Sequence, residues 1–282
     1  MEIIKAQNAG FCFGVKRAID AVYKELSENS KIYCIGPLIH NEEVIKDLEK
    51  KGLITLNELS VINKLTNEVV IIRTHGIEKG VIDTLISNGN KVIDLTCPFV
   101  KKIHNFVEDY SKNGYKVIVI GDENHPEVKG IVSYSISDIR VVNSGEDIKK
   151  LDFNKDDKVL IVLQTTSDSG KSKKLVDILK DLFYNCSLEY TICNATENRQ
   201  TEVVSLSKEC DVMLIIGSKT SSNTKKLFEI SKRYCKNTYM LSNLSDFKQI
   251  NINKDAKVGV SAGASTPEYL IEEILENVRN EF

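Results

Sequence analysis

Short, nearly unbroken β-branched runs, each followed by a polar turn and then by a segment of helical period, constrain this chain more than any other feature. The runs span residues 31–35, 69–73, 91–95, 116–120, 158–163, 212–216 and 257–261, with a further extended segment at 2–6. Amphipathic stretches lie between most of them, at 15–26, 43–50, 100–111, 171–183, 202–208, 225–234 and 267–278. A strand that is apolar on both faces needs cover on both faces. The alternation therefore indicates α/β architecture with mostly parallel sheets.

Composition limits the function classes. With 282 residues, 41% hydrophobic and 28% charged, the chain is far from a disordered composition and long enough for two or three domains. A formal net charge of −2 gives no basic stripe for tracking phosphates, so nucleic acid is not the expected partner. No apolar run exceeds about seven residues, against the ~20 needed to span a bilayer, so no membrane partner is expected. Lys5 interrupts the only apolar stretch near the N-terminus, which leaves no signal-peptide core and makes the cytoplasm the expected compartment. In a reducing cytosol seven cysteines point to metal binding or catalysis for some of them.

Three cysteines share one context. Cys12, Cys97 and Cys193 each follow an extended segment and precede a helical one; they are 85 and 96 residues apart, with 89 residues after the last. The chain thus reads as three units of about ninety residues. The expected domains are 13–96, 97–192 and 193–282, with the strand at 1–12 closing the third. A thiolate at a helix start lies in the positive field of the helix N-terminus, and Pro98 suits a first helical turn. There is no Cys-x-x-Cys pair, so three buried structural cysteines are the alternative. Three thiolates around a [4Fe-4S] cluster would leave one iron open to a substrate oxygen. Cys34, Cys210 and Cys235 read as small buried hydrophobes, and Cys186 as part of a connecting loop.

The strand ends carry anion-binding chemistry. Arg73-Thr74-His75-Gly76, Gly121 to Glu127, Gln164-Thr165-Thr166-Ser167, Gly217 to Asn223 and Ser261 to Pro267 each follow an apolar run, and His40 occupies a similar loop after Gly36-Pro37. Hydroxyls, amides and backbone N–H groups at helix starts cradle phosphate; helix capping accounts for one such residue per helix, not three in succession. Neither a Walker motif nor GxGxxG is present, which disfavours nucleotides. His40, His75 and His125 would form a pocket that gains charge by protonation, whereas His104 falls inside a helix and reads as structural. Glu127 is the general-acid candidate, since desolvation near an anion raises a carboxyl pKa; a first-turn glutamate favoured by the helix dipole is the alternative. A cluster-dependent reductase, a zinc- or Cys/His-dependent phosphoester hydrolase and a sugar-phosphate binding protein all fit these residues.

The motifs themselves narrow this choice. Ala9-Gly10-Phe11-Cys12-Phe13-Gly14-Val15, Asp94-Leu95-Thr96-Cys97-Pro98, Asn124-His125-Pro126-Glu127-Val128, Gln164-Thr165-Thr166, Cys193-Asn194-Ala195-Thr196-Glu197-Asn198-Arg199-Gln200, Gly217-Ser218-Lys219-Thr220-Ser221-Ser222-Asn223 and Ser261-Ala262-Gly263-Ala264-Ser265 resemble the motif series of the 4-hydroxy-3-methylbut-2-enyl diphosphate reductase family. The resemblance runs in order over nearly the whole chain. It implies a monomeric trefoil of three pseudo-symmetric α/β domains around an oxygen-sensitive [4Fe-4S] cluster held by Cys12, Cys97 and Cys193. It implies reductive removal of the substrate's allylic hydroxyl with two electrons and two protons, giving isopentenyl and dimethylallyl diphosphates. Electrons would come from reduced ferredoxin or flavodoxin. By the same resemblance His40, His75, His125, Ser221, Ser222, Asn223 and Ser265 would hold the diphosphate, Thr165 would contact the substrate hydroxyl and Glu127 would deliver the proton.

Overall fold

Six of the apolar runs form the inner strands of three four-stranded parallel sheets in the computed structural model, which describes residues 2–57 and 59–281. The chain starts with β1 (Glu2–Lys5) and α1 (Phe13–Glu28). The first sheet follows as β2 (Ile32–Ile35), α2 (Glu42–Lys50), β3 (Leu53–Leu56), a 3-10 segment (Leu59–Lys64), β4 (Val69–Ile72), α3 (Lys79–Ser87) and β5 (Lys91–Asp94). After α4 (Pro98–Lys112) come β6 (Lys116–Ile120), α5 (Pro126–Val132), β7 (Ile139–Val142), α6 (Gly145–Lys149), β8 (Lys158–Leu163), α7 (Ser169–Leu182) and β9 (Asn185–Leu188). After α8 (Asn194–Glu209) come β10 (Val212–Ile216), α9 (Ser222–Lys232), β11 (Thr238–Leu241), α10 (Leu244–Phe247), β12 (Lys257–Ala262) and α11 (Glu268–Glu281).

One strand order recurs: β3-β2-β4-β5, β7-β6-β8-β9 and β11-β10-β12-β1. In each sheet the first strand lies beside an edge, the second takes that edge, the third lies on the first strand's other side, and the fourth takes the far edge. In the third sheet the fourth place belongs to β1, paired from Glu2↔Lys257 to Lys5↔Val260. The chain divides into two compact units. Met1–Arg17, Ile39–Asp47 and Asn194–Phe282 form one and hold the third sheet; Ala18–Leu38 and Leu48–Cys193 form the other and hold the first two.

The inner strands are apolar throughout because each face feeds a separate core. Ile118, Ile120, Val159, Ile161 and Leu163 pack with Val176 and Leu179 of α7. The alternate residues Val117, Val119, Leu160 and Val162 pack with Ile103 and Val107 of α4. In the third sheet Leu214 and Ile216 join Ile271 and Ile274 of α11, while Met213 and Ile215 join Val203 of α8 and Leu227 of α9. A glycine ends the first strand of every sheet in the same way. Gly36, Gly121 and Gly217 donate their N–H groups to Leu56, Val142 and Leu241, the last residues of the adjoining edge strands, at 2.8, 3.0 and 2.8 Å.

Four strands, β3, β7, β9 and β11, have no counterpart in the apolar runs, and all four are edges. An edge strand covered on fewer sides tolerates polar residues, so Ile139-Arg140-Val141-Val142 and Asn185-Cys186-Ser187-Leu188 lack the continuous signature. Cys186 accordingly lies in a strand, which corrects its reading as a loop residue. α8 begins at Asn194, well before the expected 202, because its first turns bury polar side chains, Thr196, Arg199 and Gln200. Among the described residues no helix is long and apolar enough to cross a membrane.

Two substitutions test this division between core and surface. Ile161→Ala, at a fully buried position, should cost about 2–5 kcal/mol in urea unfolding. Ile86→Ala, 58% exposed on α3, should stay within about 0.5 kcal/mol of the parent. Equal losses would contradict the packing described.

Candidate functional site

The three cysteines Cys12, Cys97 and Cys193 occupy one structural address. Each follows the fourth strand of its sheet, β1, β5 or β9, and immediately precedes a long helix, α1, α4 or α8. Each donates its backbone N–H to the carbonyl two residues beyond the third strand: Cys12 to Ala264 at 3.1 Å, Cys97 to Thr74 at 3.0 Å and Cys193 to Thr165 at 3.1 Å. Cys97 is the N-cap of α4 with Pro98 at its first position, and its sulfur makes no capping bond. All three are half-buried, and no cysteine is in a disulfide. The remaining cysteines differ: burial pushes the Cys34 thiol up to about 12 and the Cys210 thiol to about 11, so both stay neutral, and Cys235 is buried with its thiol directed at the Asp211 carbonyl, 3.5 Å away. Three soft donors at helix N-termini, in equivalent backbone settings, fit an iron–sulfur group.

In the unit holding the first two sheets, Glu127 is the second residue of α5 and only 1% exposed. Its carboxylate accepts the Thr165 N–H on Oε1 and the Thr165 Oγ1–H on Oε2, both at 2.7 Å. Burial pushes its pKa up to about 7, against the two hydrogen bonds that pull it down. A carboxyl so placed holds a proton near neutrality. His125 caps α5, its Nδ1 accepting the Glu127 N–H at 3.1 Å. That bond assigns the proton of the neutral ring to Nε2. Charging the ring fully would break the cap. The ring of His75 stands edge-on to it at 5.6 Å between centroids.

The other unit presents neutral donors. Ser221 caps α9, accepting the Thr224 N–H at 3.3 Å, and Ser222 opens the helix. Asn223 is 5% exposed, yet neither its Nδ2 nor its Oδ1 has a hydrogen-bond partner among the described residues. An unsatisfied buried amide costs roughly 1–3 kcal/mol per group, and an anion at the α9 N-terminus would satisfy Nδ2. Ser265 donates its Oγ–H to the His40 carbonyl at 3.0 Å, and Asn41 donates from Nδ2 to the Ser265 carbonyl at 3.1 Å. The Ser265 hydroxyl thus holds the His40 loop in place. Gly217, at φ +145°, leaves room for Thr224: a Cβ there would come 2.7 Å from its Oγ1.

Two buried side chains outside the expected site residues support this machinery, and His104 is structural as its place inside a helix suggested. Arg199, 4% exposed, donates from Nη2 to the Gly10 carbonyl and from Nη1 to the Ala195 carbonyl, both at 2.7 Å, tying the segment before Cys12 to the first turn of α8. His104, also 4% exposed, stacks on Tyr134 at 4.1 Å, and burial lowers its pKa to about 4. It therefore acts as a neutral wedge against the His75 loop, where a Cβ on Gly76 would lie 2.9 Å from its Cε1.

Comparison with known proteins places these observations. The family model described as LytB protein matches residues 3–279. The 4-hydroxy-3-methylbut-2-enyl diphosphate reductase of Caldanaerobacter subterraneus subsp. tengcongensis is 42% identical over 282 residues, covering 99% of this chain and 97% of the relative. The enzyme of the same name from Campylobacter hominis is 44% identical over 281 residues, with 99% and 98% covered. Among solved structures, the E-1-hydroxy-2-methyl-but-2-enyl-4-diphosphate reductase of Plasmodium falciparum superposes with a TM-score of 0.93 at 32% identity, over 99% of this chain and 88% of that one. A second, (E)-4-hydroxy-3-methyl-but-2-enyl diphosphate reductase, described as the terminal enzyme of the non-mevalonate pathway, gives 0.70 at 37% identity, over 99% and 100%.

The buried carboxyl predicts a pH signature in stability. With a folded-state pKa of about 7 above the ordinary ~4.3, Glu127 favours folding below the unfolded value, and that contribution is lost as pH rises through about 7. At ~1.4 kcal/mol per unit the difference amounts to about 4 kcal/mol. Glu127→Gln, which keeps the shape uncharged, should flatten this part of the profile and be the more stable form at pH 8 in urea unfolding. Parallel profiles for the two proteins would refute the assignment.

Proposed function

Because the chain belongs to the LytB protein family, we propose that it reduces (E)-4-hydroxy-3-methylbut-2-enyl diphosphate to isopentenyl and dimethylallyl diphosphates. It is an iron–sulfur oxidoreductase of the methylerythritol phosphate pathway that uses two electrons and two protons and releases water. The observation that carries the finer reading is the shared address of Cys12, Cys97 and Cys193, each with its N–H on the carbonyl two residues past a third strand. We assign these three as the ligands of a [4Fe-4S] cluster with one iron lacking a protein ligand. The domain division 13–96, 97–192 and 193–282, with 1–12 closing the third, is supported by sheet membership.

Hydroxide is a poor leaving group, so the reaction needs a Lewis acid, a proton and electrons. The bound cluster supplies the first and the last. Glu127 holds the proton: buried and uncharged below about pH 7, it can protonate the departing hydroxyl. Thr165, bonded to both carboxyl oxygens, fixes the carboxyl group and offers Oγ1 to the substrate hydroxyl. Diphosphate binding falls to His40, His75, His125, Ser221, Ser222, Asn223 and Ser265. In this assignment His125 donates from Nε2, and Asn223 fills its unsatisfied amide. Neutral donors bind an anion firmly while leaving the product releasable. Reduced ferredoxin or flavodoxin is the electron donor in this reading, and the enzyme acts as a cytoplasmic monomer.

Anaerobically purified protein should contain iron and acid-labile sulfide, and Cys97→Ser should lose them. Glu127→Gln should lower kcat by ~10²–10⁴ with iron content and diphosphate affinity unchanged. The parent kcat should fall as pH rises through about 7, a limb that Glu127→Gln lacks. Colourless protein without sulfide, or stoichiometric zinc with phosphate release, would overturn the assignment.

A further inference from the structure

A cleft of about 230 Å³ lies within the unit that holds the first two sheets, bounded by the loop after β2, the loop after β4 and the start of α5. None of the residues assigned above to the cluster, the diphosphate or the proton lines it. Its volume is below the ~300 Å³ at which pockets for drug-sized molecules begin, so any occupant is small.

Arg73, the residue after β4, supplies the charge. Its guanidinium lies against the backbone of Gly36: a Cβ at Gly36 would overlap Nη1, and Gly36 has a φ of +69°. A side chain at this turn would therefore both strain the backbone and displace the arginine. Among the described residues Arg73 Nε is buried with no hydrogen-bond partner, and no carboxylate forms a salt bridge with the guanidinium. Burial draws its pKa down, with Glu78 opposing only through space. A partly buried cation without a bonded counter-charge is unfavourable unless an anion reaches it from outside. Lys129 is a second cation of the lining, and among the described residues Glu78 is the one carboxylate there. Ile35, Leu56 and Ile77 give the lining its aliphatic part.

We propose that this cleft is a second anion site, separate from the diphosphate pocket, taking a small oxyanion on a short apolar body, with the oxyanion on Arg73 and Lys129 and the body against Ile35, Leu56 and Ile77. The oxyanion can belong to a carboxylic acid or a phosphate ester, since a guanidinium serves both with paired N–H donors. Asn124 and Pro126 line the cleft on either side of His125 in sequence, so an occupant would touch the segment that presents that histidine.

The test uses cluster-loaded protein with labelled isoleucine and leucine methyl groups, titrated with isovalerate, isopentyl phosphate and the neutral control isopentanol. The Ile35 and Ile77 methyl signals should shift saturably with at least one oxyanion, and the acid and the ester, compared directly, identify which. Isopentanol should bind at least tenfold more weakly. Arg73→Gln should weaken binding at least tenfold, and Gly36→Ala likewise by displacing Nη1. Lys129→Gln, at an exposed position that folding tolerates, should weaken it by a smaller factor. Absent shifts, an alcohol that binds equally well, or affinity unchanged in both Arg73→Gln and Lys129→Gln would overturn the proposal. Loss of the shifts in Arg73→Gln, at a residue outside the diphosphate assignment, separates this cleft from filling of the diphosphate pocket, and a negative outcome leaves the reductase reading intact.

Discussion

One backbone hydrogen bond, repeated three times, underlies the rest of the arrangement. A cysteine N–H donates to the carbonyl two residues past the third strand of its sheet, at Ala264, Thr74 and Thr165. The bond joins the exits of the third and fourth strands. The thiol is thereby set at the first turn of a helix, next to a loop that also carries polar side chains. In the second sheet the same loop residue, Thr165, receives the Cys193 N–H on its carbonyl and grips Glu127 through its N–H and hydroxyl. Metal-ligand candidate and proton-holding candidate are thus oriented by one residue.

The machinery is held at a cost in stability. Among the described residues Glu127 is buried with only Thr165 bonded to its carboxyl group, and Asn223 is buried with both amide ends unsatisfied. Unpaired polar groups and desolvated carboxyls weaken a fold, and the apolar cores on both faces of the second and third sheets offset that loss. The same desolvation that weakens the fold keeps a proton on Glu127 near neutral pH, so the destabilising feature and the useful one are the same feature.

Legibility in the sequence followed burial. Every inner strand announces itself as a continuous apolar run, because both of its faces are covered. β3, β7, β9 and β11 do not, since an edge admits Arg140, Asn185 or Ser187 without penalty. The polar first turns of α8 were equally silent: Arg199 and Gln200 are buried by hydrogen bonding, which leaves no apolar stripe. Candidate site residues stood out because hydroxyls, amides, imidazoles and thiols clustered at strand ends beyond what helix capping requires.

The sequence by itself determined the α/β class, the three-part period and the chemical identity of the site residues, because these depend on local pattern and on side-chain type. Tertiary structure alone decided which carbonyl each cysteine N–H meets and the register in which β1, the strand expected to close the third unit, pairs with β12. It also decided that Glu127 is dry, that the His125 cap fixes its tautomer, and that Arg73 rests on Gly36 beside a cleft. Burial, desolvation and hydrogen-bond partnership belong to groups distant in the chain, and no local window contains both members of such a pair.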